Sequence, residues 1–229
     1  RMRAAYTTTA IAEYFRDQGK DVMLMMDSVT RFCHAQREIG TATGEPPTQS
    51  GYPASVWDML PKLLERSGTN DKGSITAFYT VLVDGDDLNE PITDKVRGTL
   101  DGHIVLNRGL ANANHYPAID VMQSISRLCK RVTGPQTRLA VGKIRSYIST
   151  YQKNETIITT GIYEKGKSPE IDEAIQKHPL IEEFLMQEEY APSSIEDMLK
   201  ALSVLSGIEI PEEEYVEEPA LFESPSAQK

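Results

Sequence analysis

Asp27 closes an apolar run, Val22-Met23-Leu24-Met25-Met26, and is followed by Ser28-Val29-Thr30-Arg31. A run without polar alternation, introduced by Gln18-Gly19-Lys20-Asp21, predicts a strand buried on both faces of a parallel sheet. The carboxylate then emerges at the strand's C-terminal edge, where open α/β sheets bind ligands. An Asp there can hold the magnesium that bridges the β- and γ-phosphates of a nucleotide, which is the Walker B arrangement. A strand also ends in Asp where the next helix needs a cap. The pattern alone leaves both readings open.

A second stretch satisfies a phosphate-binding pattern letter for letter: Gly161-Ile162-Tyr163-Glu164-Lys165-Gly166-Lys167-Ser168 fits G-x-x-x-x-G-K-[ST]. Ile157-Ile158-Thr159-Thr160 before it could be a strand, and a helix follows Ser168. We reject it as a P-loop. Glu164 would place a carboxylate inside a cradle of N–H groups, Pro169 removes an N–H from the turn that should receive the phosphate, and the match lies far from the strand that carries Asp27.

The elements that must position these residues come next. Helical spacing over about 2–18 (Ala5, Ile11, Ala12, Phe15) stops at Gly19 and leads into the strand, half of a parallel crossover. A helix over about 29–39 ends near Gly40. Thr41 to Pro53 contains three prolines and two glycines and cannot be regular structure; a long ordered loop of this kind is usually functional. A helix over about 54–66 follows, then the β-branched and aromatic run Ile75 to Val83, which ends in Asp84-Gly85-Asp86-Asp87. A short helix near 91–100 and the strand His103-Ile104-Val105-Leu106 repeat the alternation, predicting an α/β fold with a mainly parallel sheet. Past Gly134-Pro135 the periodicity turns helical over 137–153, 169–187 and 193–206. The expected domains are therefore 1–134, 135–208, and an acidic, disordered tail over 209–229.

Of the 229 residues, 39% are hydrophobic and 25% charged, enough for a large core. No apolar run approaches the roughly eighteen residues a membrane span needs. Two cysteines, Cys33 and Cys129, make no disulfide framework and point to a reducing compartment; Cys33, on a predicted helix, reads as a small buried hydrophobe. The net charge is −10, but seven glutamates and one lysine after residue 208 leave the body at −4. That is too little to argue for a nucleic-acid partner, and none is expected. Arg1-Met2-Arg3 stand inside an uncapped helical pattern, so a fragment of a longer product is expected.

Taken in order, Asp27-Ser28-Val29-Thr30-Arg31, Gln36-Arg37-Glu38-Ile39-Gly40, Gly44-Glu45-Pro46-Pro47, Gly51-Tyr52-Pro53, Gly73-Ser74-Ile75-Thr76, Leu100-Asp101-Gly102-His103-Ile104-Val105-Leu106 and Tyr116-Pro117-Ala118-Ile119-Asp120 resemble the flagellar and virulence type III export ATPases. These are homohexameric relatives of the rotary ATP synthase catalytic subunits. The resemblance runs from residue 1 to about 205. It implies a P-loop NTPase (RecA-like) α/β fold, present in part, followed by a small α-helical C-terminal domain. It implies ATP and Mg2+ as cofactors, and ATP hydrolysis energising protein export at a cytoplasmic site peripheral to the membrane export gate. The implied partners are other copies of the chain in a homohexamer, central stalk-like and regulatory export proteins, and export substrates with their chaperones. The family's true P-loop and catalytic glutamate lie upstream of a position like Arg1, so this chain alone should be inactive.

Site roles come from the same resemblance. Asp27 matches the Walker B aspartate, holding magnesium through water. Arg31 matches an arginine near the γ-phosphate, though a surface cation paired with Glu38 or Asp27 would look the same. Arg127, in Ser124-Ile125-Ser126-Arg127, matches an arginine finger acting in trans, a task suited to a guanidinium. Tyr116 matches the aromatic that stacks on adenine, and Asp86 and Asp87 match a loop facing the central channel. Two other functions remain: a subunit of a rotary proton-translocating ATP synthase, and a non-catalytic interaction module. The export reading is favoured by Gln36 to Gly40 and Gly44 to Pro47.

Overall fold

The computed structural model describes residues 1–83, 85 and 87–215. The chain divides into two compact units, Arg1–Asp101 and Gly102–Lys229.

In the first unit the order is α1 (Met2–Arg16), β1 (Asp21–Met26), α2 (Val29–Ala42), α3 (Ala54–Leu64), β2 (Gly68–Thr69), β3 (Ser74–Tyr79) and α4 (Pro91–Thr99). The strands form one sheet in the order β1-β3-β2; β1 and β3 are parallel, in register from Asp21 opposite Ser74 to Met26 opposite Tyr79. Ala12 of α1 packs on Leu24 and Ile75 of the sheet. A larger core joins Val29, Phe32 and Cys33 of α2 to Val56, Leu60 and Leu63 of α3 and Ile92 and Val96 of α4. Burial pushes the Cys33 thiol up to about 12, with Glu90 adding to the effect, so it remains the inert, apolar thiol expected.

The loop after α2 is ordered by its own contacts. Thr48 N–H donates to the Tyr52 carbonyl at 2.8 Å, and the Trp57 indole N–H donates to Thr48 Oγ1 at 3.0 Å. The Arg37 guanidinium lies 4.9 Å from the centre of the buried Tyr52 ring.

One expectation for β1 is corrected. Leu24 is buried, but Met23 and Met25 are 68% and 71% exposed, and Phe78 beside them on β3 is 48% exposed. Successive strand residues face opposite sides, and α1 covers only the side carrying Leu24. The apolar run therefore has one buried face and one bare face among the described residues.

The second unit comprises β4 (Gly102–Leu106), α5 (Arg108–Asn112), β5 (Ile119–Ser126), α6 (Cys129–Val132), α7 (Pro135–Thr159), α8 (Pro169–Leu185) and α9 (Ile195–Ser206). β4 does not continue the parallel alternation: it pairs antiparallel with β5, with a bulge between His103 and Val105. The connection passes through α5 and closes on itself, Asn107 N–H donating to the Ala118 carbonyl at 2.8 Å, so that the chain returns beside the strand it left. β5 is bound to α7: Arg145 donates to the carbonyls of Val121 and Met122 at 2.7 and 3.2 Å. The three long helices share a core of Ala140, Ile144, Tyr147, Ile181, Leu199 and Leu202.

Residues 209–215, expected as the start of a disordered tail, are held at two points. Ile210 is buried in the helical core, and Glu214 caps α7, its carboxylate accepting from the N–H groups of Gln136 and Thr137 and from Thr137 Oγ1 at 3.0, 2.8 and 2.6 Å. Four N–H groups at a helix start lack intrahelical partners, and a carboxylate satisfies them and complements the helix dipole. Acidic composition concealed one apolar anchor and one cap.

Candidate nucleotide site

The β1–β3 register places the residue after each strand side by side. Thr80 N–H donates to the Met26 carbonyl at 3.1 Å and Val29 N–H to the Thr80 carbonyl at 2.9 Å, so pairing continues past both strands. Thr80 Oγ1 then donates to Asp27 Oδ1 at 2.8 Å. In the first turn of α2, the buried Thr30 accepts at Oγ1 from Leu82 N–H at 2.9 Å. Asp27 is thus exposed at the sheet edge while the backbone on either side of it is tied to the neighbouring strand's continuation.

The cap of α2 is Ser28, not Asp27. Ser28 has extended backbone angles (φ −130°, ψ 158°), and its Oγ accepts from Arg31 N–H at 3.3 Å. The Asp27–Ser28 peptide is cis. With Ser28 serving the helix, the carboxylate of Asp27 is held at one oxygen by Thr80, and among the described residues Oδ2 accepts no hydrogen bond. An exposed carboxylate with an uncommitted oxygen is chemically fit to accept from the water shell of magnesium, which gives up its waters reluctantly. Arg31 is exposed on the first turn of α2 and makes no ion pair with Asp27 or Glu38 among the described residues.

In the second unit Tyr116 lies in the turn after α5. Asn114 takes a left-handed conformation (φ 59°), His115 is buried, and Tyr116, joined to Pro117 by a cis peptide, is 51% exposed. Asn114, Tyr116 and Pro117 line one side of an open groove of about 690 Å³, with Met186, Gln187 and Glu188 also on its wall. Tyr116 and Met186 both line the groove, and an aromatic ring and a polarizable thioether are surfaces against which a flat base can pack. Arg127 is the exposed residue immediately past β5. The strand leading to it is braced: Ser124 Oγ accepts from Val105 N–H at 2.9 Å and donates to the Asp120 carbonyl at 2.6 Å. Burial would raise the Asp120 carboxyl, but hydrogen bonds from Gln123, Asn107 and Met122 outweigh it and hold the group below the ordinary carboxylate range.

The structure brings Asp27 and Arg31 to one strand–helix junction of the first unit, and Tyr116 and Arg127 to the two ends of a single segment in the second. Asp86 lies outside the described residues; Asp87 accepts from Asn89 N–H at 2.9 Å in a local turn.

The P-loop-like stretch is occupied by its own side chains. Ile157 to Thr159 belong to α7, not to a strand. Gly166 N–H donates to Asp172 Oδ2 at 2.8 Å, Ser168 N–H donates to Tyr163 Oη at 3.1 Å, and Lys167 pairs with Glu164 at 3.0 Å. N–H groups already given to a carboxylate and a phenol do not cradle a phosphate.

Residues 1–126 match the profile described as ATP synthase alpha/beta family, nucleotide-binding domain. The chain belongs to this family. Residues 133–204 match a second profile, the T3SS EscN ATPase C-terminal domain. The flagellum-specific ATP synthase of Bacillus subtilis is 57% identical over 209 residues, covering 91% of the chain and 48% of that protein. The assembled ATPase EscN from the type III secretion system of enteropathogenic E. coli superposes with a TM-score of 0.88 at 50% identity, over 90% of the chain and 50% of EscN. EscN solved in complex with its central stalk EscO gives a TM-score of 0.82 at 49% identity, over 90% of the chain and 49% of that one. The chain spans about half the length of the relatives it matches, and its α/β first unit and helical C-terminal part are those of the family. Among the described residues, no helix is long and apolar enough to cross a membrane.

Three parts of the site had no reading from sequence. Ser28 follows the rule that a Ser or Thr before a helical pattern is its cap, and that signal stood in plain view. Thr80 had none, since its role depends on strand register. The Met186–Gln187 wall of the groove is likewise joined to Tyr116 only by tertiary folding.

Proposed function

We propose that this chain supplies the Walker B and C-terminal portions of an ATPase that drives protein export through a flagellar or virulence type III apparatus, acting as a homohexamer. The observation that carries this reading is the division of labour at the β1–α2 junction: Ser28 caps the helix, leaving the Asp27 carboxylate exposed and held by Thr80. Residues 1–134 then form the C-terminal part of the nucleotide-binding domain and 135–208 the helical domain, with the hexamer in the cytoplasm, peripheral to the export gate and turned on a stalk-like partner.

Asp27 would accept from magnesium-bound water, with Thr80 fixing the direction of the carboxylate. A magnesium ion held there would supply positive charge to offset the charge that builds during phosphoryl transfer. Arg31 would lie toward the γ-phosphate, Tyr116 would stack on adenine in its groove, and Arg127 would reach the nucleotide of a neighbouring subunit.

The test is Asp27→Asn in the natural full-length product. Magnesium-dependent turnover should fall by at least about a hundredfold, while ATP affinity changes by no more than a fewfold, since the charge matters most where charge develops. Equal loss of both would remove the metal-holding role.

A further inference from the structure

The turn that carries Tyr116 is gripped at two points by α8 and its continuation. Gln187 N–H, just past the helix, donates to the Tyr116 carbonyl at 2.8 Å. Glu182, five residues earlier, places Oε2 3.1 Å from Nδ1 of His115. A carboxylate can only accept, so Nδ1 carries the proton. His115 is 6% exposed, and its own N–H is bound to the Leu110 carbonyl at 2.9 Å. Glu182 is braced in turn: its Oε1 lies 3.8 Å from His178 Nε2, and the His178 ring lies 3.6 Å from that of Tyr151 on α7. Neither His115 nor Glu182 lines the groove beside Tyr116.

We propose that His115 and Glu182 are positioning residues for the base site, a strut through which the helical bundle sets where the Tyr116 ring stands. The proposal rests on the reading of Tyr116 as the base-stacking residue. Its physical content is that one hydrogen bond fixes the backbone of the turn and the other fixes the residue before it, so the turn has one anchor on α8 and one just past it. Remove the side-chain anchor and the turn can pivot about the Gln187 bond. The stack on the base then weakens, while groups that meet the phosphates do not move.

The test compares Glu182→Ala, Glu182→Gln and His115→Phe with Tyr116→Ala in the natural full-length product, following KM and kcat for ATP together with the affinity for inorganic tripolyphosphate, which has no base. His115→Phe keeps buried ring volume without the donor, and so gives an independent reading if Glu182→Ala fails to fold. Glu182→Ala and His115→Phe should each raise KM for ATP by about three- to tenfold, less than full loss of an aromatic stack, with kcat within about twofold and tripolyphosphate affinity unchanged. Glu182→Gln, whose amide oxygen still accepts, should recover most of the loss. The double variant Tyr116→Ala/Glu182→Ala should match Tyr116→Ala alone, since a strut has nothing left to position.

The strut is overturned if Tyr116→Ala raises KM but Glu182→Ala and His115→Phe do not, if their effects add to that of Tyr116→Ala, or if tripolyphosphate affinity falls in parallel. If Tyr116→Ala itself leaves KM unchanged, the base-stacking reading fails first, and the strut fails with it.

Discussion

A carboxylate at the end of a strand can cap the helix that follows, and at the β1–α2 junction the hydroxyl of Ser28 does so instead. That separation can be measured. Ser28→Ala removes the acceptor for Arg31 N–H and should cost about 1 kcal/mol in a urea unfolding curve, the usual value of a lost cap. Asp27→Asn keeps an oxygen that can accept from Thr80 Oγ1 and should stay within about 0.5 kcal/mol of the parent. A larger loss for Asp27→Asn than for Ser28→Ala would make the carboxylate structural. The type and place of Asp27 were legible in the sequence because an apolar run ending in one acid is a local pattern. The partner that aims it was not, because Thr80 is 53 positions away.

Elements were legible where one periodicity ran unopposed, as in α7, α8 and α9. They were misread where a neighbour decides the outcome. β1 reads as doubly buried because Val22 to Met26 are all apolar, and among the described residues only the Leu24 side is covered. β4 reads as another parallel strand because it follows a helix, and its partner β5 returns to it. The acidic residues after 208 read as solvated, yet Glu214 is the cap of α7. Burial pulls its carboxyl upward, but the hydrogen bonds from Thr137 and Gln136, with Arg138 nearby, outweigh that and hold it below the ordinary value of 4.5. A carboxyl whose folded pKa is depressed contributes stability that is present above its unfolded pKa and is lost as pH falls through the folded one. Glu214→Gln should therefore unfold at lower denaturant than the parent at pH 7, and the gap should close in acid, below about pH 4.5. A gap that stays constant between pH 7 and pH 3 would show that the charge of Glu214 contributes nothing to the cap.

At the scale of the whole molecule, order along the chain was the strongest signal: short motifs spaced from Asp27 to Asp120 are jointly specific where each alone is weak. In the proposed homohexamer, bringing Asp27 and Arg127 together is left to neighbouring copies of the chain. If Arg127 acts in trans, Arg127→Ala should preserve nucleotide affinity and lower turnover by a factor on the order of a thousand. Mixed hexamers of full-length Arg127→Ala and Asp27→Asn subunits should regain activity where an intact Asp27 meets an intact Arg127. Mixtures shown to co-assemble but never exceeding either parent variant would count against trans action. The bare face of the β1–β3 sheet has its own consequence at this scale. Two thioethers, Met23 and Met25, stand on it within reach of solvent, and peroxide turns a thioether into a polar sulfoxide. The speed at which those two sulfurs gain oxygen is therefore a chemical gauge of whether anything lies across the sheet, readable by mass in any assembly the chain enters.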